Sequence, residues 1–419
     1  MSCKNCKSRF LKKIINIGKQ PISSHFYKKK IDKLKNYSLD LYVCLKCNLV
    51  QFKSLAKLDH MYGLNYGYRT SLSPLMINHM KDKYLRIKND LKNKKRNILD
   101  IGCNDGTFLN FFKKFKNINL FGIDPSAEKF KRYHSKKINL IVDYFKKKNV
   151  EKKFNNVKFD LITSFAMFYD IEDPNSFCKD IKNLLTKNGK WILELSYFPL
   201  LLQNLTYDQI CHEHVTYYTL TTFEKIIKKN GLKILDFSLN NINGGSIEII
   251  CSKKNSNHST NIKKINTQKK FETYINDESY KNFDIRTENI KKMLNLFLDT
   301  NKGDVIGYGA STKGNIVLNH CGVDNKKLKY ICDANPYKFN RFTPGSNIKI
   351  ISKEKMRKLK PKYLLVLIWS FRKEVIQQEK KFIDNGGKLI FHLPMFHIID
   401  KNNYKRFMNN NFQSLSYNF

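Results

Sequence analysis

The chain has 419 residues, 41% of them hydrophobic, which is enough for two or three domains of ordinary size. Its formal net charge of +41 (77 Lys and Arg against 36 Asp and Glu) comes mostly from Lys scattered along every segment, so it does not favour a nucleic-acid reader, which depends on clustered Arg. No apolar run approaches the roughly 20 residues of a spanning helix and no secretory pattern is present, so we expect a cytoplasmic protein without a membrane partner.

Four cysteines near the N-terminus form two C-x-x-C pairs, Cys3 with Cys6 and Cys44 with Cys47. In a chain without a secretion signal such pairs favour a metal over disulfides, because two turns with two thiolates each complete a tetrahedral zinc site. A pair of buried or redox dithiols is the alternative. We predict a small structural zinc ribbon over residues 1–66, a segment too short to bury a core of its own.

From residue 97 onward, short apolar strands alternate with helical stretches, which predicts a parallel sheet with helices on both faces. The last two strands are joined through a glycine turn and form an antiparallel pair. The predicted strands are 97–102, 120–123, 140–143, 159–163, 191–194, 232–239 and 246–252, with helices over 108–115 and 223–229. The pattern indicates a seven-stranded, Rossmann-like α/β core over residues 67–255.

A polar stretch over 253–270 has little periodicity and predicts a linker, followed by a helix near 290–298. We place this connection at 256–300. Strand and helix patterns then resume, with strands predicted from Asp304 and at 329–333, 363–368 and 388–391. They predict a second, smaller doubly wound α/β domain over residues 301–419.

The turn after the first core strand carries signals of a ligand site. Gly102 and Gly106 stand at a strand tip, where open α/β sheets bind ligands and where glycine lets the backbone approach them. The G-x-G-x-x-G spacing of a dinucleotide site is absent. Instead Asp124 ends the second strand, a position from which a carboxylate accepts hydrogen bonds from both ribose hydroxyls of an adenosine ligand.

These features resemble the S-adenosylmethionine-binding motifs of class I methyltransferases. A nucleotide fold that binds nothing is the alternative. Asp143, at the tip of the third strand, is placed to meet the adenine amino group. The predicted cofactor-binding residues are Asp100, Gly102, Asn104, Gly106, Asp124 and Asp143.

The irregular segment after the fifth strand contains His212-Glu213-His214. As a metal site it lacks the H-E-x-x-H spacing, which sets two histidines one helical turn apart. A histidine beside a carboxylate is suited to remove a proton near neutral pH, and the segment lies where a methyl acceptor should sit. We interpret it as a general-base site, with a purely structural role of the histidines as the alternative.

A second glycine turn, 307–314, opens a helix in the C-terminal domain. Backbone N–H groups at a helix start favour an anion, and Lys313 adds charge, so Ser311 and Lys313 are candidate substrate-binding residues. The P-loop pattern G-x-x-x-x-G-K-[ST] is not met, so we predict no nucleotide hydrolysis. A tight turn that binds nothing is the alternative.

In this order the motifs resemble the sugar C-methyltransferases of deoxysugar biosynthesis, which join a zinc domain, a methyltransferase core and a C-terminal nucleotide-fold domain. The resemblance runs over nearly the whole chain. It is carried by the two C-x-x-C pairs, 48–51, Tyr66-Gly67-Tyr68, 100–106, 212–214, 243–246, 307–315 and Thr343-Pro344-Gly345.

The resemblance implies that His214 deprotonates the sugar carbon beside a ketone, and that this carbon then receives the methyl group of S-adenosylmethionine. It also implies that Glu213 orients the base or the substrate and that Tyr68 lies near the reacting sugar, with His212 as a further catalytic candidate. The expected partner is a small molecule, a nucleotide-linked keto sugar.

Two positions depart from the family pattern. Cys211 stands where sugar-specific members often have Tyr, and residues 167–170 replace a segment that often presents His. Another acceptor, and O- or N-methylation, therefore stay open. A zinc-ribbon nucleic-acid-binding protein with a non-catalytic methyltransferase fold is a further alternative, against which Asp124 and the H-E-H segment argue.

Overall fold

The computed structural model describes residues 2–53, 68–91 and 95–409. Within these residues the strands are β1 (Leu11–Pro21), β2 (Asn36–Cys44), β3 (Val50–Phe52), β4 (Arg96–Ile101), β5 (Ile118–Ile123), β6 (Ile138–Ile141), β7 (Phe159–Phe165), β8 (Leu185–Ser196), β9 (Thr216–Tyr217), β10 (Leu232–Asn240), β11 (Ser246–Lys253), β12 (Val305–Tyr308), β13 (Tyr330–Asp333), β14 (Lys349–Ser352), β15 (Tyr363–Val366), β16 (Lys388–Phe391) and β17 (His397–Ile399). The α-helices are α1 (Pro74–Ile87), α2 (Thr107–Asn110), α3 (Ala127–Phe130), α4 (Lys147–Lys153), α5 (Pro174–Leu184), α6 (Phe198–Gln203), α7 (Leu220–Lys229), α8 (Ile262–Glu272), α9 (Asp277–Thr300), α10 (Thr312–Cys321), α11 (Lys353–Lys358), α12 (Arg372–Gln378), α13 (Lys380–Asp384) and α14 (Tyr404–Asn409).

The N-terminal sheet has the order β1-β2-β3-β9, with neighbouring strands antiparallel. Its last strand comes from the core, directly after the H-E-H segment. There Val50 pairs with Tyr217 and Gln51 with Thr216. The H-E-H segment is therefore held at one end by the sheet of the zinc ribbon.

The central sheet has the order β10-β11-β8-β7-β4-β5-β6. Strands β4 to β8 are parallel, whereas β11 runs antiparallel to both β8 and β10. The predicted seven-stranded core with its antiparallel pair is confirmed. The chain runs from β4 to β5 and β6 and then crosses to β7, so the carboxyl ends of β4 and β7 form the crevice in which open α/β sheets bind ligands.

The helix predicted over 108–115 is shorter than expected. Helix α2 ends at Asn110, and the chain continues in turns closed by i→i+3 hydrogen bonds. Aromatic side chains of these turns pack around Tyr84 of α1, with ring centroids 5.5 Å away for Phe111 and 4.9 Å for Phe112. Packing of several rings against one tyrosine favours this tighter winding.

Half of the stretch predicted as a linker, 253–270, is helical, because α8 begins at Ile262. The last residue of α8, Glu272, is buried, and its carboxylate accepts from the N–H groups of Leu220 at 2.5 Å and Thr221 at 2.9 Å at the start of α7. Ile265 is the other buried residue of the helix. Because α8 contacts the core through one carboxylate and one aliphatic side chain, its sequence has no apolar stripe from which a helix could be predicted.

The C-terminal sheet has the order β14-β13-β12-β15-β16-β17 and is parallel apart from β17. The predicted doubly wound domain is confirmed, and β14 and β17 are additional to the predicted strands. The chain runs from β12 to β13 and β14 and then crosses to β15. The ends of β12 and β15 therefore form a second crevice of the same kind.

The N-terminal unit, described over residues 2–53, packs against both larger domains. Ile15 and Leu41 belong to the buried apolar cluster of the C-terminal domain, whereas Cys3 and Cys44 belong to that of the central sheet. The unit thus shares its core with two neighbours, as expected of a segment that cannot bury a core alone.

The domain boundaries at 66/67, 255/256 and 300/301 stay predictions. Tyr66 and Gly67, at the first boundary, lie outside the described residues, as does the predicted C-terminal domain beyond 409. Across the ranges that the structure describes, no helix combines the length and apolar character needed to cross a membrane.

Candidate active site and metal centre

The two C-x-x-C pairs converge on one point. The Sγ atoms of Cys3, Cys6, Cys44 and Cys47 all lie within 4.8 Å of one another. The pairs form the same turn, in which the residue after the second cysteine has a positive φ and donates its N–H to the carbonyl of the first, at 3.0 Å for Cys3 and 2.8 Å for Cys44. Four sulfur ligands in this arrangement fit a closed tetrahedral zinc site with no position left for a substrate.

The turn between β4 and α2 bends back on the tip of β5. Gly102 (φ +76°) and Asn104 (φ +50°) are left-handed, and the Gly102 N–H donates to the Ile123 carbonyl at 2.8 Å. Asp124 is buried beyond β5 and accepts from the N–H groups of Asn104 at 2.9 Å and Ser126 at 2.6 Å. A carboxylate offers about four acceptor positions, so Asp124 retains capacity for a ribose hydroxyl.

Two further predicted cofactor residues belong to this turn. Gly106 starts α2 with φ +74°, and a Cβ there would lie 2.7 Å from the ring of His134. Asp100 accepts from Thr163 Oγ1 at 2.6 Å, but its burial, reinforced by the charge of Asp124, raises its pKa to about 7. Asp100 therefore changes its charge near neutral pH.

The segment 68–72, just before α1, lies across the same turn. Asn104 accepts from the Thr70 N–H at 3.0 Å through Oδ1 and donates through Nδ2 to the Tyr68 carbonyl at 3.3 Å. Tyr68, which is 45% exposed, is thus tied through its backbone to the predicted cofactor turn.

Asp143 is not part of this convergence. Strand β6 ends at Ile141, and Asp143 is exposed, with its carboxylate accepting from the Tyr144 N–H at 2.7 Å and from Asn149 Nδ2 at 2.6 Å. Its role at the adenine stays a prediction.

The two histidines of the H-E-H segment face different parts of the molecule. His212 is buried, its Nε2 donates to the Gln20 carbonyl at 3.2 Å, and its Nδ1 lies 3.4 Å from Ser23 Oγ. Gln20 belongs to β1 and Ser23 follows it. His212 therefore fastens the H-E-H segment to the N-terminal unit.

His214 is buried in a different environment, with its ring against that of Tyr169 at a centroid distance of 4.1 Å. Within the described residues, its Nδ1 has no hydrogen-bond partner, and neither has Oε2 of Glu213. Burial, helped by the positive charge of Lys313, lowers the pKa of His214 to about 3, so the imidazole is neutral at pH 7. Buried polar atoms are ordinarily satisfied by protein, water or a ligand.

The loop after β7 links His214 to the glycine turn. The carbonyl of Tyr169, whose ring contacts His214, accepts from the Val215 N–H at 2.8 Å. Two residues earlier, Met167 Cγ would lie 3.2 Å from a Cβ placed on Gly102. Because residues two apart span at most about 7 Å, the H-E-H segment and the predicted cofactor turn flank one short loop.

The C-terminal domain also reaches this region. Lys313 Nζ donates to Asn243 Oδ1 at 2.9 Å, and Trp369 Nε1 donates to Asp208 Oδ2 at 2.8 Å. Ser311 instead caps α10, accepting from the N–H three residues on at 2.9 Å. The two predicted substrate-binding residues therefore have different contacts. The side chain of Lys313 bonds to the core, whereas that of Ser311 caps the helix in its own domain.

A cleft of about 280 Å³ opens between α1, the turn after β10 and the C-terminal domain. Its lining includes His79, Asn243, Arg372 and Lys373. Since Asn243 also accepts from Lys313, the cleft adjoins the contact between the two domains at the H-E-H segment.

Sequence reasoning missed a buried charge network beneath α1. Lys83 Nζ lies between Glu194 of β8, at 2.7 Å, and Glu248 of β11, and Glu194 is also 2.8 Å from Nε2 of His79. Burial opposes ionisation of Glu194, but Lys83 and His79 outweigh it and lower its pKa to about 2. The available signal was the spacing of His79 and Lys83, one helical turn apart. The network holds α1, and the segment before it, on the sheet.

Family models match three successive parts of the chain. A zinc binding domain matches residues 3–62, a methyltransferase domain matches 76–236, and a C-methyltransferase C-terminal domain matches 241–394. Their order is that of the predicted domains.

The chain is 25% identical over 407 residues to the C-methyltransferase NovU of Streptomyces niveus, a match that covers 94% of this chain and 95% of that protein. It is 32% identical over 122 residues to a tRNA U34 carboxymethyltransferase of Campylobacter jejuni subsp. doylei, covering 27% of this chain and 41% of that protein. A similar solved structure, PKMT2 from Rickettsia typhi in complex with AdoHcy, has 15% identity and a TM-score of 0.33, covering 39% of this chain and 50% of that one. Of the two relatives, the first matches along almost its entire length.

Proposed function

We propose that this chain, which belongs to the class I S-adenosylmethionine-dependent C-methyltransferases, methylates a carbon beside the ketone of a nucleotide-linked sugar in the cytoplasm. The C-terminal family model and the full-length relative support carbon as the acceptor atom. The observation that carries the mechanism is the buried, neutral His214, whose Nδ1 has no hydrogen-bond partner in the described ranges.

S-adenosylmethionine, when bound, supplies a methyl group whose bond to sulfur breaks with the electron pair remaining on sulfur. Asp124 is suited to accept from a ribose hydroxyl of the cofactor, and the left-handed turn at Gly102 and Asn104 lets the backbone come close to it. The segment 68–72 covers this turn and brings Tyr68 to the same edge of the sheet.

His214 is the proposed base. A C–H bond beside a ketone is weakly acidic, so its cleavage needs a positioned base, and a general base contributes about 10²–10⁴-fold. A neutral imidazole nitrogen takes the proton, the C–H electron pair moves into the enolate, and the enolate carbon forms the bond to the methyl group. Glu213 Oε2, also buried without a partner in the part of the chain described, is available to hold a sugar hydroxyl.

His212 is a positioning residue in this scheme. Both of its ring nitrogens contact the chain at Gln20 and Ser23, so it orients the segment that carries His214. The zinc site supports the same unit and takes no part in the chemistry, because four cysteines leave no open position.

Deuterium exchange separates proton removal from methyl transfer. The wild-type protein is incubated in D₂O with S-adenosylhomocysteine and a panel of 4-keto-6-deoxyhexoses linked to dTDP, UDP, GDP or CDP. We expect the acidic C–H of one of them to exchange, and His214→Asn to slow both exchange and methyl transfer by about 10²–10⁴-fold, because no base remains. His212→Asn is the matched control, expected to lower thermal stability more than the exchange rate.

The cofactor affinity of His214→Asn, measured by calorimetry, should stay at the wild-type value. Full methyl transfer by this variant would reject the base assignment. NMR of the product identifies the methylated atom, and a methyl group on oxygen or nitrogen would reject C-methylation.

A further inference from the structure

Lys313 extends from the C-terminal domain towards the catalytic segment of the core. It lies in the first turn of α10, and its Nζ donates to Asn243 Oδ1 at 2.9 Å in the turn between β10 and β11. Helix α10 packs against the short 3₁₀ helix Tyr207–Gln209, which precedes the H-E-H segment. Burial lowers the pKa of Lys313 and the nearby carboxylate of Asp208 opposes this, while its hydrogen-bond partner is a neutral amide.

Within the described residues, three polar atoms without partners lie on the segment 208–214, two of whose residues, Asp208 and His214, are close enough to feel the charge of Lys313. Asp208 Oδ1, Glu213 Oε2 and His214 Nδ1 are buried, and none has a hydrogen-bond partner among the residues with described positions. The charge of Lys313 lowers the pKa of His214 and opposes the burial that raises the pKa of Asp208. A cation beside buried acceptors fits a ligand that offers both hydroxyl donors and a carbonyl oxygen.

We propose that Lys313 is a catalytic residue that donates a hydrogen bond to the carbonyl oxygen of the acceptor and stabilises the enolate. This inference rests on the C-methylation proposed above. The acceptor proton goes to His214, the C–H pair forms the C=C bond, and the carbonyl π pair moves onto the oxygen beside Lys313. When the carbon takes the methyl group, the oxygen pair reforms the carbonyl, and His214 returns its proton to water.

The same cation makes the basicity of His214 depend on the reaction. Burial and the charge of Lys313 hold its pKa at about 3, so it binds a proton weakly. As negative charge develops on the oxygen, the charge of Lys313 is compensated and the enolate attracts the imidazolium, so the pKa of His214 rises during proton transfer. Nearby carboxyl groups are those of Glu213, the preceding residue, of Asp208 on the same segment, and of Asp170, which follows the Tyr169 that contacts His214.

The sequence suggested a different role, in which Lys313 binds a phosphate at the start of α10. The contacts do not favour that role. The hydroxyl of Ser311 already caps the helix, and the Lys313 side chain is bonded to Asn243 of the other domain. If Lys313 binds a phosphate of the substrate, its removal should lower substrate affinity. If it stabilises the enolate, its removal should lower the reaction rate.

Lys313→Met removes the charge while keeping much of the side chain, and Lys313→Arg keeps the charge. Lys327→Met is the matched control, because Lys327 belongs to the same domain and pairs with Asp299 at 2.9 Å on its surface. Exchange and methyl transfer are measured on the same panel of nucleotide-linked keto sugars. We expect Lys313→Met to lower kcat and the exchange rate by about 10²-fold or more with a smaller change in KM, and Lys313→Arg to restore part of the rate.

A second measurement does not need the acceptor. NMR titration with ring-¹⁵N-labelled histidine should show the pKa of His214 rising by about one unit or more in Lys313→Met, since a repelling charge has gone, and unchanged in Lys327→Met. The proposed role of Lys313 would be overturned if Lys313→Met left the pKa of His214 unchanged, or if it raised KM while kcat and the exchange rate stayed the same. Failure of the wild-type protein to exchange any panel member would instead overturn the proposed function, and the titration would still decide whether Lys313 acts on His214.

Discussion

The core and the C-terminal domain each contain a strand, a glycine turn and a helix, followed by a second strand that ends in a carboxylate. In the core, the carboxylate Asp124 bonds back to the turn through the Asn104 N–H at 2.9 Å. In the C-terminal domain, Asp333 instead accepts from the Asn335 N–H at 2.7 Å and lies 3.5 Å from Lys338 Nζ. The carboxylate bonds directly to the turn in the core, whereas in the C-terminal domain it is linked to the turn through Lys338, whose Nζ donates to the Ala310 carbonyl at 2.7 Å.

The C-terminal turn is explained by protein contacts alone. A Cβ on Gly309 would lie 2.7 Å from the side chain of Ile368, and Ser311 satisfies the start of the helix. This turn places Lys313 against Asn243 of the core. Similar local sequences thus form the predicted cofactor turn in one domain and, as we propose, position one catalytic side chain in the other.

Losing zinc should have the largest effect, and it should weaken both regions alike, because the N-terminal unit packs on both domains. We expect Cys44→Ser to lose its zinc, lower the melting temperature and reduce S-adenosylmethionine affinity, at a cost of several kcal/mol, since metal binding is coupled to folding. Metal analysis and thermal denaturation measure this. Cys251→Ala, at a buried lone thiol, should keep one zinc per chain; a zinc-free Cys44→Ser of unchanged stability would contradict the structural role.

The stability of the core should also depend on pH, through Asp100 next to the glycine turn. The pKa of Asp100 is raised to about 7, so its contribution to stability is full below the unfolded value near 4 and is lost as pH rises through 7. Asp100→Asn keeps an acceptor for Thr163 but does not titrate. Its stability relative to wild type should therefore increase between pH 5 and pH 8, by about 3 kcal/mol, because roughly two pKa units of the shift fall in this range. Identical pH dependence of denaturation in the two proteins would show that Asp100 is not perturbed.

Gly309→Ala tests whether packing governs the C-terminal turn. The added methyl group meets Ile368 at a residue with φ +87°, so we expect a loss of roughly 2–4 kcal/mol in unfolding free energy. Gly322→Ala has a similar φ of +67° but nothing within 4 Å, and should cost roughly 1 kcal/mol. Chemical denaturation measures both. Equal losses would remove packing as the reason for glycine at 309.

The smallest expected effect is on cofactor affinity, and it distinguishes the carboxylate of Asp124 from that of Asp333. Asp124→Ala should weaken S-adenosylmethionine binding by roughly 1.5–3 kcal/mol, which is tens of times in affinity, because hydrogen bonds to a charged group are lost. Asp333→Ala should leave that affinity unchanged. Calorimetry distinguishes the two, and equal affinities of all three proteins would remove Asp124 from the cofactor site.

Sequence patterns predicted the parts of this protein that neighbouring residues determine. Two C-x-x-C turns, a glycine-rich strand tip and alternating apolar strands each depend on a few adjacent residues, so the zinc ligands and both sheets could be expected. Strand ends show the limit of this reasoning. The third core strand is predicted over 140–143, whereas β6 is Ile138–Ile141, so Asp143 lies beyond the strand with its carboxylate exposed.

Only the tertiary structure decided how the proposed active site is assembled. His212 and His214 are neighbours in the sequence and could not be told apart there. In the structure His212 bonds to β1, whereas His214 packs against Tyr169 in the loop after β7. The approach of Lys313 to His214 joins residues about a hundred positions apart, and nothing in either local pattern encodes it. Motifs specify local conformation through backbone geometry, whereas the burial and charge that set the chemistry of a side chain come from whichever distant elements pack against it.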